Sequence, residues 1–291
     1  MSRAHAATPP AARPAALPPL YRAAATVRRV LGARGSRVAY ASPLARPLRR
    51  VLASRAPGGT ASVRVCAGAL EGASMLVDLS CEKYYWLGTH EEPVQRLLVE
   101  RLRPGDVVYD IGAHAGFFSL LANRLVSHEG RVVAFEPNPQ NATRLRANLA
   151  ANDATNVDVY EAAVSDACGD AAFVAPGSPL QGRLAHAGED AAIRVETTTI
   201  DALVAAGAPA PRLMKIDVEG AEGAAMRGAR VTIAAHRPEL VIEVHSTEAG
   251  AAVIDALPCR YVFRNIDTGA VSGARLSPGH YLGLFEGGGA L

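Results

Sequence analysis

The sequence predicts an α/β protein built on a doubly wound, mostly parallel sheet with a small N-terminal extension, and three observations predict it. Short apolar strand patterns alternate with helical ones from about residue 104 onward, the order expected of βαβ units. Two of these strand patterns, ending near Ile111 and Phe135, run straight into turns rich in glycine or proline. Carboxylates stand at or next to strand ends, with Asp110, Glu136, Asp217 and Glu243 at the edge where such sheets bind ligands.

The chain divides by charge before it divides by pattern. Residues 1–70 hold 12 arginines and no acidic residue, whereas residues 71–291 hold 18 basic and 28 acidic ones, so a net charge of +2 conceals two opposed parts. We read residues 1–60 as a flexible, arginine-rich leader, in which Leu20, Ala24, Val27 and Leu31 can line one face of a short basic helix before Pro43, Pro47 and Pro57 interrupt it. Such a leader suits docking on the acidic body of its own chain, peripheral contact with anionic lipid, or nucleic acid, and it also resembles an organelle transit peptide. No apolar stretch is long enough to span a membrane, so the cytoplasm is the expected location. The four cysteines are far apart and show no CxxC pairing, which points away from a zinc site or a disulfide framework.

Residues 61–291 read as one domain, with a hairpin and a helix over 61–103 ahead of a core over 104–291. SVRV and SMLVDLS form the hairpin around the turn at Gly68 to Gly72, and a helix runs from Pro93 to about Leu102. Val107 and Val108 lie in the strand that ends at Ile111, and Phe118, Leu121 and Leu125 follow at helical spacing. After the strand to Phe135, Asn138 and Pro139 supply an N-cap and a first helical residue for a helix carrying Leu145 and Leu149. A strand over Val157 to Tyr160, short strands at 173–175 and 193–198, and strands ending near Asp217 and Val244 complete the pattern. The loop at 176–192 lies where insertions shape substrate pockets.

The run YDIGAHAGFFS at 109–119 seats a nucleotide-like ligand, because Gly112 and Gly116 stand where the backbone must bend sharply and approach a ligand closely. The spacing is GxxxG, not the GxGxxG of dinucleotide enzymes. With Asp110 before the turn, it favours a ligand that carries a sulfonium or ammonium and no pyrophosphate, and that points to S-adenosyl-L-methionine. Glu136 follows about 20 residues later, where an acidic residue accepts ribose hydroxyls. Asn138 is a second contact candidate beside its capping role.

The chemistry falls on two later strand ends. Lys215 and Asp217 are two apart and share a face, and Lys215 is one of only two lysines against 28 arginines. Glu219 and Glu222 open the next helix, where a favourable interaction with the helix dipole accounts for them. His245, two residues after Glu243, is the preferred general base, since a neutral imidazole accepts a hydroxyl proton near pH 7. Asp217 would orient it or the acceptor, and Lys215 would stabilise a developing alkoxide. Asp217, Glu243 and His245 could instead hold a divalent ion, although their spacing is not diagnostic and no metal is assigned.

Taken together, YDIGAHAGFFS, AFEPNPQN, VYEAAVSD, KIDVEGAE and RPELVIEVH resemble the FkbM-type methyltransferases over roughly residues 80–250, as does YYWLGTHEEPVQ before the turn. The resemblance implies a seven-strand class I fold, S-adenosyl-L-methionine as methyl donor, and O-methylation of a hydroxyl on a sugar, glycan or natural product. It implies that Asp110, Gly112 and Gly116 surround the methionyl part, that Glu136 holds the ribose, and that Ala163, Val164 and Asp166 lie near adenine. Family members often carry asparagine where this chain has His114, which makes His114 a second proton acceptor or a contact for the cofactor tail.

Two other readings are weighed against this one. An NAD-dependent oxidoreductase would use a related sheet, but the third glycine of its fingerprint is missing. A nucleic-acid methyltransferase would fit the basic leader, yet KIDVEG stands where base-modifying enzymes carry an Asn/Asp-Pro-Pro-aromatic signature, so nucleic acid is not the expected partner.

Overall fold

Apolar runs with little alternation make strands that are covered on both faces, and the central strands here are of that kind. The structure, a computed structural model, describes residues 59–174, 182–184, 193–272 and 275–287, together with Ala23, Thr26 and Val30. Most of the leader expected over 1–60, including the helix-face residues Leu20, Ala24, Val27 and Leu31, lies outside the described residues, as does most of the loop at 176–192. Among the described residues no helix is long and apolar enough to cross a membrane.

From residue 59 onward the described residues begin with the expected hairpin, β1 (Thr60–Arg64) and β2 (Ser74–Asp78), followed by helices α1 (Lys83–Leu87) and α2 (Glu92–Arg101). The core then runs β3 (Val107–Ile111), α3 (Phe117–Val126), β4 (Arg131–Phe135), α4 (Pro139–Ala150) and β5 (Val157–Tyr160). Four short strands form a second sheet: β6 (Ala162–Val164), β7 (Gly169–Val174), β8 (Arg183–Leu184) and β9 (Ile193–Thr198). After α5 (Ile200–Ala205) come β10 (Leu213–Ile216), α6 (Glu222–Arg227), α7 (Arg230–His236), β11 (Glu239–Val244) and α8 (Thr247–Ala256). The chain closes with β12 (Tyr261–Asn265), β13 (Val271–Ser272) and β14 (Gly279–Phe285).

The main sheet has the order β13-β12-β14-β11-β10-β3-β4-β5. Strands β5, β4, β3, β10 and β11 are mutually parallel, and β14 runs antiparallel between β11 and β12. Seven of the eight strands match the expected number. The eighth, β13, is a two-residue edge strand, and like β12 and β14 it was not read from the sequence. It arises because Asn265 Oδ1 accepts from the amides of Asp267 and Thr268, and Gly269, with φ +75°, turns the chain back onto β12.

Alternation along the strands sorts the core into two layers. Val108, Val132, Ala134, Leu213 and Val241 face the hairpin and α1 to α3, while Tyr109, Ile111, Val133, Met214, Ile216 and Ile242 face α6 to α8. The strand order reverses between β3 and β10, so the loops that follow these parallel strands diverge and leave a crevice at their carboxyl ends. Asn138, Thr199 and Ser246 cap α4, α5 and α8 by accepting from Gln140, Ala202 and Ala249 amides.

The hairpin is latched to α4 by polar groups that are out of water. Glu82 is fully buried, accepts the Asp78 amide at 2.7 Å and pairs with Arg144, while Asn148 accepts the Leu76 amide and donates to the Ala115 carbonyl. Removing the cation alone strands the carboxylate, whose Oε1 already lacks a hydrogen bond. Arg144→Met is therefore expected to lower stability by about 3–5 kcal/mol, read from the urea midpoint at an unchanged denaturant slope.

Candidate active site

The crevice holds a cavity of about 260 Å³ whose walls come from the loops after β3, β4 and β10, from α1 and the start of α2, and from the second sheet. At one part of it stands Glu136. Its Oε2 accepts the His114 amide at 2.8 Å and its Oε1 the Asn138 amide at 2.9 Å, so two main-chain donors fix the carboxylate. Burial dominates its titration and raises its pKa to about 7 against the lowering effect of those hydrogen bonds. Ala162, Ala163 and Val164 add an apolar wall to the same cavity.

The glycine turn bends as expected, with φ +86° at Gly112 and +89° at Gly116. The reason for the glycines differs from the expectation of close ligand approach. A Cβ on Gly112 would lie 1.8 Å from the Asp217 carbonyl oxygen, and one on Gly116 would lie 2.4 Å from Leu145 Cδ1. Both absences of side chain serve contact between protein segments, and Gly116 does not line the cavity. His114 does line it, in a left-handed conformation at φ +50° that histidine and asparagine tolerate better than most residues. Its Nδ1 is 3.0 Å from the Tyr85 hydroxyl, and its Nε2 is 3.6 Å from Glu82.

Asp110 is buried behind the cavity wall, not in it. Ser119 Oγ donates to its Oδ2 at 2.6 Å, and its Oδ1, without a hydrogen bond, faces Lys215 Nζ at 3.8 Å. Register explains the meeting, because Lys215 pairs directly with Asp110 across β10 and β3. Lys215 also reaches Asp217 Oδ2 at 3.4 Å and lies 5.0 Å above the Phe118 ring. Burial works to lower its pKa, but Asp217 and Asp110 outweigh burial and hold it above the ordinary lysine value. It is a permanent cation in the cavity wall.

Around that cation the wall is acidic, with Glu91, Asp217, Glu219 and Glu243 all lining the cavity. Glu219 takes φ +51° and Gly220 φ +100°, a tight turn after β10 that brings Asp217 and Glu219 to the same histidine. Burial raises the carboxyl pKa of both Asp217 and Glu219.

His245 requires a correction. It stands next to Asp217, as expected, but it does not line the cavity, and it is ringed by carboxylates. Its Nδ1 donates to Glu222 Oε1 at 2.7 Å, and its Nε2 is 3.6 Å from Asp217, 3.4 Å from Glu219 and 3.8 Å from Glu243. Partial burial pulls its pKa down, but the Glu222 hydrogen bond and the neighbouring charges prevail and push it up to about 9. That direction favours the imidazolium, the form that donates a proton, over the neutral ring expected of a general base. Glu222, fully buried, holds this cation in place besides opening α6.

Two expected cofactor contacts also lie away from the cavity. Asn138 is spent on capping α4, contributing its amide to Glu136, and Asp166 sits at the surface paired with Arg227 at 2.8 Å. Neither lines the cavity, whereas Gly112, His114, Glu136, Ala163, Val164, Lys215 and Asp217 do. Tyr84, Tyr85, His90 and Glu91 were not singled out from the sequence, although their run preceding Pro93 carried a family signal. His280, opposite Glu243 in the β11–β14 register, had no local signal at all.

The family model of the methyltransferase FkbM domain matches residues 110–264. The chain is 31% identical over 159 residues to hexuronic acid methyltransferase AglP of Haloferax volcanii, a match covering 54% of this chain and 63% of that protein. It is 30% identical over 193 residues to 31-O-demethyl-FK506 methyltransferase FkbM of Streptomyces tacrolimicus, covering 54% of this chain and 72% of the relative. Among solved structures it is similar to methyltransferase FkbM of Methylobacillus flagellatus KT, at 18% identity and a TM-score of 0.42, over 83% of this chain and 59% of the other.

Proposed function

Because the chain belongs to the FkbM methyltransferase family, we propose that it transfers a methyl group from S-adenosyl-L-methionine to a hydroxyl oxygen of a sugar or related natural product. The observation that carries this reading is Glu136, a buried carboxylate facing the cavity and held by two main-chain amides. A carboxylate offers about four acceptor positions, so Glu136 keeps capacity for a ribose hydroxyl. The rest of the cavity fits the same donor: Ala163 and Val164 offer an apolar surface to a flat base, and the acidic wall favours a sulfonium. A pyrophosphate fits poorly, since Gly116 is packed against Leu145 and five carboxylates line the cavity, Glu136 among them. The names of AglP and of the Streptomyces tacrolimicus relative support a hydroxyl acceptor of the sugar or macrolide type.

The donor, when bound, supplies an electrophilic methyl group and leaves as a thioether. The chain's part is to position the acceptor oxygen and to take its proton as the oxygen attacks. Asp217 is the group we assign to that proton, because it lines the cavity and its carboxyl is shifted toward higher basicity by burial. Lys215, held at 3.4 Å from Asp217, stabilises negative charge on the oxygen while its own proton stays in place. His245 acts through others, fixing Asp217 and Glu219 from behind the wall.

Calorimetry with S-adenosylhomocysteine and with NADH tests the donor, and methylation of uronic acid and macrolide hydroxyls, read by mass, tests the acceptor. Saturable binding of NADH alone sinks the reading. The pH dependence adds a residue-specific check. Ribose hydroxyls donate to the ionised form of Glu136, so below its pKa of about 7 binding must displace a proton. Affinity for S-adenosylhomocysteine is expected to weaken by up to about tenfold per pH unit below that point and to level off above it. Glu136→Gln should bind more weakly and without this slope.

A further inference from the structure

We propose that Glu91, Glu243 and His280 form a binding site for a divalent first-row transition metal such as Zn²⁺, with Asp267 orienting the histidine. The inference goes beyond methyl transfer and does not depend on it. Three separate elements converge here. Glu91 stands at the N-cap of α2, Glu243 is the penultimate residue of β11, and His280 is its direct cross-strand partner on β14. One ligand atom from each lies within 4.8 Å of the others.

The geometry around His280 Nε2 suits a cation shared with the two carboxylates. This nitrogen is buried and faces two carboxylates at once, 3.5 Å from Glu91 Oε2 and 3.4 Å from Glu243 Oε2. Two ligands bound at about 2.0–2.2 Å to one ion, at tetrahedral to octahedral angles, stand roughly 3.0–3.5 Å apart. The separations here are those of atoms arranged around a shared cation. The other lone pairs are already directed elsewhere: Glu91 Oε1 takes His90 Nε2 at 2.9 Å, and Glu243 Oε1 is turned to His245.

The histidine is oriented as metal-bound histidines are. Its Nδ1 is 3.3 Å from Asp267 Oδ2, so the ring donates outward to a carboxylate and aims Nε2 inward. One imidazole with two carboxylates selects for transition metals over Ca²⁺ or Mg²⁺, which prefer all-oxygen shells. Among the described residues three supply ligands, which leaves positions for water or for an oxygen of a bound molecule. Glu91 and Glu243 line the cavity, so those open positions would be accessible from it. In the metal-free chain a protonated His280 balances the two carboxylates, and an ion would take its place by displacing that proton.

The test uses the full chain, treated with chelator and titrated with ZnCl₂ by calorimetry, with MgCl₂ as reference and far-UV circular dichroism as a check of folding. Saturable binding of a single Zn²⁺ is expected, weakened at least roughly tenfold by His280→Ala and by Glu91→Gln, and by roughly 10–100-fold in Asp267→Asn. Zn²⁺ should also raise the melting temperature of the parent chain but not of His280→Ala. If His280→Ala does not fold, Glu91→Gln decides. Absence of saturable binding by the parent chain overturns the proposal, as does undiminished binding in the folded variants or loss confined to His245→Ala. Titrating the same samples with S-adenosylhomocysteine separates this outcome from the methyl-transfer reading, because donor binding without Zn²⁺ binding removes only the metal site.

Discussion

Asp217→Asn is expected to lower kcat for methyl transfer by roughly a hundredfold to ten-thousandfold, while the affinity for S-adenosylhomocysteine stays within about threefold. Asparagine preserves the shape of the side chain and a polar contact to Lys215, which the parent holds at 3.4 Å. It removes the one property assigned to Asp217, the capacity to take a proton. The proposed donor grip does not involve Asp217, since Glu136 is held by two main-chain amides. Lys215 retains Asp110, 3.8 Å away, as a counter-charge, so the variant keeps a paired cation in the wall. Single-turnover kinetics isolates the chemical step from product release. Retention of kcat within about threefold would remove Asp217 from proton transfer.

Gly112→Ala is expected to destabilise the chain by about 2–6 kcal/mol, combining a strained backbone with an overpacked contact. The strain comes from φ +86° and the contact from a Cβ placed 1.8 Å from the Asp217 carbonyl oxygen. That oxygen belongs to the main chain directly after β10, so relief requires the β3 and β10 loops to separate. Separation breaks the hydrogen bond from the Asp217 amide to the Ile111 carbonyl at 3.0 Å and shifts the wall of the cavity. Gly72→Ala provides the reference, since φ is +83° there and nothing lies within 4 Å of the added carbon. The difference between the two urea midpoints measures the steric part, and equal losses would show that the close approach costs nothing.

The parallel strands and the turn were legible because each is written locally, as apolar runs about five residues long followed by glycine, proline or an acidic residue. Glu136, Lys215 and Asp217 were legible for the same reason: each stands at or just past the carboxyl end of a strand. What escaped notice depends on neighbours far apart in the chain. The charge state of His245 is set by Asp217, Glu219 and Glu222 from another loop, and no residue near position 245 announces them. His280 enters the site only through its register with Glu243, fixed by the antiparallel insertion of β14. The protein contacts that exclude a side chain at the two glycines were not legible, because Asp217 and Leu145, which crowd them, are distant in sequence. β6 was missed because three residues, Ala162–Val164, are too few to display a period.

The main-chain amide of His114, not its ring, grips Glu136, and the residue achieves this from a left-handed backbone at φ +50°. Heritable change at this position is thus filtered by conformation before chemistry. Asparagine, aspartate or glycine can substitute without loosening the Glu136 carboxylate, whereas a β-branched residue loosens it even if no atom of the new side chain reaches the cavity. Position 114 is free to acquire a new side-chain role during divergence, since the indispensable part of it is an N–H that nearly every amino acid carries.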